Sequence, residues 1–449
     1  MSDFEAVVTR VADRVTPDAD ERERLAGAVD ALTDRIHDAL ADVPADADVV
    51  QVGSTARGTW LADDRDIDLF VRFPPDLDRA ELERYGLDVG RSALPDGREE
   101  YAEHPYVTGE FDGFDVDLVP CYDVADATKI QSAVDRTPFH DAYLQERLDA
   151  DLARDVRLFK AFLTGIGAYG SDLRTRGFSG YLSELLVLEH GGFEALLRAA
   201  ANWHPPVRLD PEDHGTATFD DPLVVIDPTD PERNVAAVCA AENVARLQHY
   251  ARDLLADPRD SLFVPSDPDP LDADAVRDHL DRRGTTPVAL VFEAPDLVDD
   301  QLYPQLRKSL NGIAGELDRR GFAPLRTATF ADERAVLLVE LAVEELAAVT
   351  RHDGPPVDVR EHASGFYDAY ADDDVYGPFI DGDRYVVERE REFTTPAAYL
   401  ASDALFDVGL GAQIETALEE GYECYVGDEV ATLASEFGVE LARYFEPTP

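Results

Sequence analysis

The chain has 449 residues, with 94 acidic against 41 basic side chains and a net charge of −53. Its hydrophobic content of 45% supports several packed cores and argues against an acidic disordered chain. No run of about 18 apolar residues occurs, which leaves no membrane-spanning helix, and Cys121, Cys239 and Cys424 form no C-x-x-C pair, which argues against a disulfide framework or a zinc knuckle. In chain order, helical periodicity covers 4–15 and 19–42, with Thr16-Pro17-Asp18 as a stop-and-restart signal. A strand at 48–52 runs into a Gly53-Ser54 turn, and a second strand covers 66–73 before Pro74-Pro75. A helix is expected near 77–92. Strands at 106–111 and 114–122 meet at Asp112-Gly113, a strong hairpin signal.

Residues 140–200 read as mostly helical, interrupted at Gly165–Gly167 and around Gly177–Gly180. The Pro- and Asp-rich stretch 201–232 reads as loop-bearing, and a helix is expected from 234 to 255. The segment 257–272 resembles a linker. Beyond it, a strand at 287–293, a helix at 301–320 and strands at 327–330 and 335–343 give a βαββ order, the pattern of a ferredoxin or RNA-recognition module. Residues 355–449 read as an aromatic-rich loop, a strand at 384–391, and helices near 396–420 and 427–443. Length alone suggests two to four domains.

Lysine occurs only at Lys129, Lys160 and Lys308; every other base is arginine. An acidic surface nearly emptied of lysine, over an ordinary apolar core, points to adaptation to molar salt. At about 1 M salt the Debye length is about 3 Å, so the global charge is screened and local contacts decide binding. The N-terminus lacks the basic and apolar regions of a secretory leader, so a cytoplasmic location is expected.

In so acidic a chain, composition alone supplies about twenty acid-x-acid pairs. Asp66-x-Asp68 stands out because it lies in an apolar strand, where a desolvated carboxylate is costly without a partner. Strand alternation puts both carboxylates on one face and Ile67 and Leu69 on the other. Asp117 has a similar setting in the strand at 114–122. Three carboxylates of this kind suit Mg²⁺ carrying a triphosphate, and hence nucleotidyl transfer by in-line displacement. The Gly53-Ser54 backbone upstream is able to approach a phosphate closely.

Gly53-Ser54 with Asp66-x-Asp68 and Asp117 resembles the nucleotidyltransferase superfamily of DNA polymerase β type. Three further stretches resemble the archaeal, class I CCA-adding tRNA nucleotidyltransferases. These are Ser132-Ala-Val-Asp-Arg-Thr-Pro-Phe-His140, the run from Tyr169-Gly-Ser-Asp to Gly180-Tyr-Leu-Ser-Glu-Leu-Leu186, and Val225-Ile-Asp-Pro-Thr-Asp-Pro-Glu-Arg-Asn-Val235. The family opens its metal pair with Glu; Asp66 here has a shorter arm that still suits Mg²⁺. The resemblance implies catalytic and metal-binding roles for Asp66, Asp68 and Asp117. It implies triphosphate contacts for Ser54 and Arg57, and contacts to the nucleotide's phosphates and ribose for His140, Lys160 and Tyr169. Arg233 resembles the arginine that reads the base edge, and Thr137 lies beside the pocket. Lys160 also carries a signal of its own, because this chain has almost discarded lysine and a compact ammonium suits a phosphate oxygen. On the RNA side, Arg174, Arg176, Arg307-Lys308 and Arg319-Arg320 are candidates for phosphate contacts or simple partners of nearby acids.

The resulting expectation is a multidomain α/β and α+β enzyme. Residues 1–145 form a nucleotidyltransferase domain with a mixed sheet, 146–257 a helical central nucleotide-binding domain, and 258–449 tRNA-binding modules. The resemblance supplies the reaction, addition of CCA to tRNA 3′ ends from CTP and ATP with Mg²⁺, and a homodimer without a membrane partner. The alternatives are a poly(A) polymerase or oligoadenylate synthetase-like enzyme, which would use ATP alone, and a non-catalytic RNA-binding relative, which would need a broken carboxylate triad. A nucleotidylating toxin component would be shorter.

Overall fold

Two amphipathic helices open the chain: α1 (Asp3–Val15) buries Val7, Val11 and Ala12, and α2 (Ala19–Leu40) buries Leu25, Ala28, Leu32 and Ile36. Asp18 sets the break between them. Its carboxylate accepts the Glu21 N–H at 2.8 Å, and the Glu21 carboxylate accepts the Asp18 N–H at 3.0 Å. This reciprocal cap satisfies two otherwise orphaned donors and is worth about 1 kcal/mol. The structure, a computed structural model, describes residues 3–101, 103–215 and 217–449. The chain divides into two compact units, one ending at Ser266 and one running from Asp267 to Thr448.

In the first unit, β1 (Asp48–Val52), β2 (Asp66–Phe73), β3 (Arg98–Tyr101), β4 (Pro105–Phe111) and β5 (Phe114–Tyr122) form a mixed sheet of order β1-β2-β5-β4-β3. β2 and β5 run parallel and the other neighbours antiparallel. The β4–β5 hairpin turns on Asp112 and Gly113, both with left-handed φ (52° and 79°), as its sequence predicts. Between β1 and β2 the expected Gly53-Ser54 turn is a one-turn helix, α3 (Gly53–Arg57). One sheet face carries Ile67, Leu69, Val71, Phe73, Val116 and Leu118, packed under α2 and α4 (Arg79–Ala93). α4 comes close because Gly86 and Gly90 face the sheet: a Cβ would stand 2.6 Å from Pro120 Cβ at Gly86 and 2.5 Å from Val107 Cγ2 at Gly90.

The helical part of this unit comprises α5 (Thr137–Gln145), α6 (Ala150–Gly165), α7 (Gly180–His190), α8 (Phe193–Ala200) and, after three short strands, α9 (Ala241–Ala256). Its core gathers Phe159, Phe162, Phe178, Phe193 and Leu247, and α1 packs into it through Val7 and Val11. The stretch expected to be loop holds a small sheet of β6 (Val207–Leu209), β7 (Leu223–Asp227) and β8 (Asp230–Asn234). All five residues of β7 are buried, but its acid- and proline-rich flanks mask so short a run. The helix expected from Asn234 begins instead at Ala241. The Asn234 side-chain oxygen accepts the N–H groups of Val225 (2.9 Å) and Ala236 (3.0 Å), which ties it to the sheet.

The second unit begins with α10 (Ala273–Arg283), followed by β9 (Thr286–Glu293), α11 (Asp299–Arg320), β10 (Pro324–Ala331) and β11 (Arg334–Leu341). The expected βαββ module is present. An inserted sheet follows, of β12 (Val349–Pro356), β13 (Tyr376–Asp381) and β14 (Arg384–Glu390) with α12 (Arg360–Tyr370), where the sequence reads largely as loop. The helix expected at 396–420 is split into α13 (Pro396–Leu400) and α14 (Ala412–Glu420). β15 (Glu423–Val426) then joins β9, giving the antiparallel order β10-β11-β9-β15, and α15 (Ala434–Phe445) ends the unit. Among the described residues no helix is long and apolar enough to cross a membrane.

The close approach of α4 to the sheet generates a test. Gly86→Leu should lower unfolding stability by about 1–3 kcal/mol, the usual cost of overpacking, measured by denaturant titration.

Candidate active site

The apolar alternation of β2 and β5 buries one face of each strand and leaves their acids on the other. The parallel register sets Asp66 opposite Asp115 and Asp68 opposite Asp117. Farther along the same face, Phe70, Val52 and Cys121 are buried together. Burial pushes the Asp68 carboxyl up to about 7, and the charges of Asp117 and Asp66 push in the same direction, against the opposing effect of Arg57. Asp66 rises to about 6 through partial desolvation and then Asp64, Asp115 and Asp117; because it stands exposed, solvent screens the effect. α3 begins against this face. Gly53 has φ +83°, and a Cβ there would lie 2.2 Å from Asp68 Oδ2, so both backbone and space call for glycine.

Among the described residues no three His, Cys, Asp or Glu side chains close into a formed metal shell. The donor chemistry of Asp66, Asp68 and Asp117 still fits a hard divalent cation. The donors are all oxygen, and they are held together against a repulsion that a cation would relieve.

A second cluster surrounds Glu184 on α7, whose side chain is fully buried. Arg57 donates through Nε (3.1 Å) and Nη2 (2.8 Å) to Glu184 Oε2, and through Nη1 (2.5 Å) to Asp141 Oδ1 on α5. The other carboxylate oxygen of Glu184 accepts the Thr59 hydroxyl and Lys160 Nζ (3.4 Å). Lys160 Nζ also donates to the Thr59 carbonyl at 3.2 Å. Burial lowers the Lys160 pKa, and Glu184 acts in the opposite direction. Removing one partner from a buried charge pair generally costs about 3–5 kcal/mol, so these side chains are held in place. Tyr169 approaches the same place: a Cβ at Gly180 would lie 3.3 Å from its hydroxyl and 3.8 Å from Lys160 Nζ.

A third cluster surrounds Asp227, at the buried end of β7. His140 Nε2 lies 2.7 Å and Arg233 Nη1 2.8 Å from Asp227 Oδ2, and Thr229 donates to Oδ1 through its N–H (2.9 Å) and hydroxyl (2.8 Å). These bonds hold the Asp227 carboxyl well below the usual carboxylate range, against the effect of burial. The His140 ring stacks on Tyr181, with centroids 3.9 Å apart. Beside it lies a cleft of about 840 Å³, lined by Arg233, Arg136, Thr128 and Asp230 among others, with none of Asp66, Asp68 or Asp117 in its lining.

The structure thus places the candidates in three groups. Ser54, Arg57, Asp66, Asp68 and Asp117 gather where α3 meets the sheet; Lys160 meets Arg57 through Glu184, with the Tyr169 hydroxyl beside it at Gly180; His140 and Arg233 share Asp227. Thr137 opens α5, three residues before His140. Glu184, Asp141 and Asp227 were not among the candidates. The signal that marks Glu184 and Asp227 is an acid inside an apolar run, Leu182 to Val187 on α7 and Leu223 to Asp227 on β7; Asp141, in the mixed sequence of α5, carries no such signal. Of the basic residues, Arg319 is paired with Glu316, and Arg320 with Glu316 (2.7 Å) and Glu392 (3.1 Å). Lys308 is exposed, and Arg176 is anchored by its carbonyl, which accepts Asn243 Nδ2 at 2.9 Å.

Comparison with known proteins bears on the chain as a whole. Family models match in order: a nucleotidyltransferase domain at 34–140, the second domain of tRNA nucleotidyltransferase at 154–264, and the C-terminal domain of CCA-adding enzyme at 283–427. Proteins named CCA-adding enzyme from the halophilic archaea Haloarcula marismortui and Halorubrum lacusprofundi are each 64% identical over the whole of both chains. One from Methanosarcina mazei is 38% identical over 97% of each. Among solved structures, a cytoplasmic RNA terminal U-transferase aligns with 60% of this chain and all of its own, at 16% identity and a TM-score of 0.46. With three consecutive domain matches and full-length relatives at this identity, the chain belongs to the CCA-adding enzyme family and is a tRNA nucleotidyltransferase.

Proposed function

We propose that this enzyme builds the CCA end of tRNA from CTP and ATP, without a nucleic-acid template, and that Asp66, Asp68 and Asp117 hold the Mg²⁺ it uses. The observation that carries the metal assignment is the parallel register of β2 and β5, which sets Asp68 beside Asp117 on a half-buried face. Bound there, Mg²⁺ would lower the pKa of the tRNA 3′-hydroxyl and offset charge on the departing pyrophosphate. Arg57 and Lys160, with Ser54, bind the triphosphate; fixed cations suit phosphates because they need little reordering when charge arrives. His140 and Tyr169 position the phosphates and ribose, and Arg233 faces the base edge. Arg233 lines the cleft of about 840 Å³, where protein side chains take the place of a template base.

The division into a catalytic domain at 1–145, a central domain at 146–257 and tRNA-binding modules at 258–449 belongs to the same proposal, as do a homodimer and a cytoplasmic location. The relatives in halophilic archaea support the reading of the acidic surface as adapted to high salt.

Three measurements test the proposal. With tRNA lacking its CCA end, Mg²⁺ and labelled nucleotides, both CTP and ATP should be incorporated; ATP alone would favour the poly(A)-type alternative. Asp117→Ala should reduce incorporation by about three orders of magnitude or more, while tRNA binding in a filter assay stays close to wild type. Activity should persist at about 1 M KCl, where the repulsion between protein and tRNA is screened; an optimum in dilute buffer would refute the high-salt reading.

A fourth measurement follows Asp68 itself. Its raised carboxyl holds a proton in the folded state that the unfolded chain releases near pH 4, so the metal-free enzyme loses stability as pH rises from about 4 to about 7. Asp68→Asn should flatten that slope in thermal melts. It should also remove the stabilisation that Mg²⁺ gives wild type above pH 7.

A further inference from the structure

Glu184 is a carboxylate with no exposure, in a helix segment whose other residues from Leu182 to Val187 are buried too. A lone acid is not retained there for packing, since an apolar side chain would fill the space without desolvating a charge. Its two oxygens divide their partners. Oε2 takes Arg57 Nε and Nη2, and Oε1 takes the Thr59 hydroxyl and Lys160 Nζ. Arg57 follows the turn that rests on Asp68, whereas Lys160 lies on α6, 103 residues further along the chain. Two guanidinium nitrogens on one oxygen fix the plane of the Arg57 group, and the ammonium is drawn to the other oxygen.

We infer that Glu184 is a positioning residue for nucleotide binding, which holds Arg57 and Lys160 in one orientation to receive a single triphosphate. The inference rests on the reading above that both cations bind phosphate. Glu184 touches no substrate and acts through the two cations. Without it, two positive side chains would face each other in a dry site, with Asp141 compensating Arg57 alone. The groups facing Lys160 are Glu184 from α7, Arg57 and Thr59 from α3 and the turn after it, Asp64 from the loop before β2, and Tyr169 across Gly180. Glu184 is the only carboxylate among them that bonds the ammonium directly.

The test begins with Arg57→Ala and Lys160→Ala, assayed for the KM of CTP and of ATP with CCA-less tRNA. If neither raises either KM, the phosphate reading itself fails, and the inference with it. If they do, Glu184→Gln should raise both nucleotide KM values at least tenfold and leave the Kd for tRNA unchanged. It should also move the alkaline limb of kcat/KM to lower pH, because Lys160 loses the carboxylate that keeps it protonated. Glu184→Asp keeps the charge on a shorter arm, so it should raise KM while leaving the alkaline limb in place. Circular dichroism melts establish that each variant is folded. Wild-type KM values and an unmoved limb in Glu184→Gln would overturn the inference. If Glu184→Gln does not fold, Glu184→Asp with a wild-type KM would overturn it as well.

Discussion

The constraint on which the rest of this structure depends is the side-by-side placement of like charges on two parallel strands. Asp68 faces Asp117 because β2 and β5 pair in register, and the apolar face beneath them holds that register. For scale, two like charges about 4 Å apart near a protein surface repel by about 4 kcal/mol. The arrangement persists because burying Ile67, Leu69, Val116 and Leu118 stabilises the sheet by more than the repulsion costs, each side chain contributing about 1.5–3 kcal/mol. A one-residue slip would send these side chains to solvent and the acids into the core. The strain on the carboxylates is therefore a by-product of a well-specified sheet, and it is also what suits them to a divalent cation.

The same logic appears in reverse at Glu184 and Asp227. There the fold buries an acid and gathers hydrogen-bonding side chains around it. Arg57 and Lys160 meet at the first; Arg233 and the imidazole of His140, whose pKa burial lowers, meet at the second. Each acid orients side chains contributed by separate elements of the chain. A protein of net charge −53 that handles RNA and nucleotides needs cations at fixed places, because no general positive field exists to attract phosphate. In molar salt such a field would be screened in any case, whereas short, partly buried contacts persist.

Much of the sheet that carries the candidate site is legible in the sequence. β1 and β2 fall where alternation puts them, and the Asp112-Gly113 hairpin carries the two left-handed residues its turn requires. Asp66, Asp68 and Asp117 stood out through their apolar surroundings. The small sheet of β6 to β8 did not, because strands of three to five residues between prolines and acids leave no period to count. Of the inserted module only β14 is expected from the sequence, as the strand at 384–391; β12, α12 and β13 lie in a stretch rich in Asp and Gly that hides their periods. Glu184 lies in one of the family-like stretches without a periodic signal of its own, because helical periodicity marks a single face and residues 182–187 of α7 are buried on every side.

The sequence by itself determined which strands form, which of their faces is apolar, and that three acids lie on the polar face. These properties depend on neighbours one to four positions away, so period and composition are enough to show them. Only the tertiary structure decided that Asp68 stands beside Asp117, that Arg57 meets Lys160 across Glu184, and that His140 and Arg233 share Asp227. Those pairings join residues from 6 to 127 positions apart. They arise when apolar cores bring separate elements together, and no local pattern in the chain specifies which charges then meet.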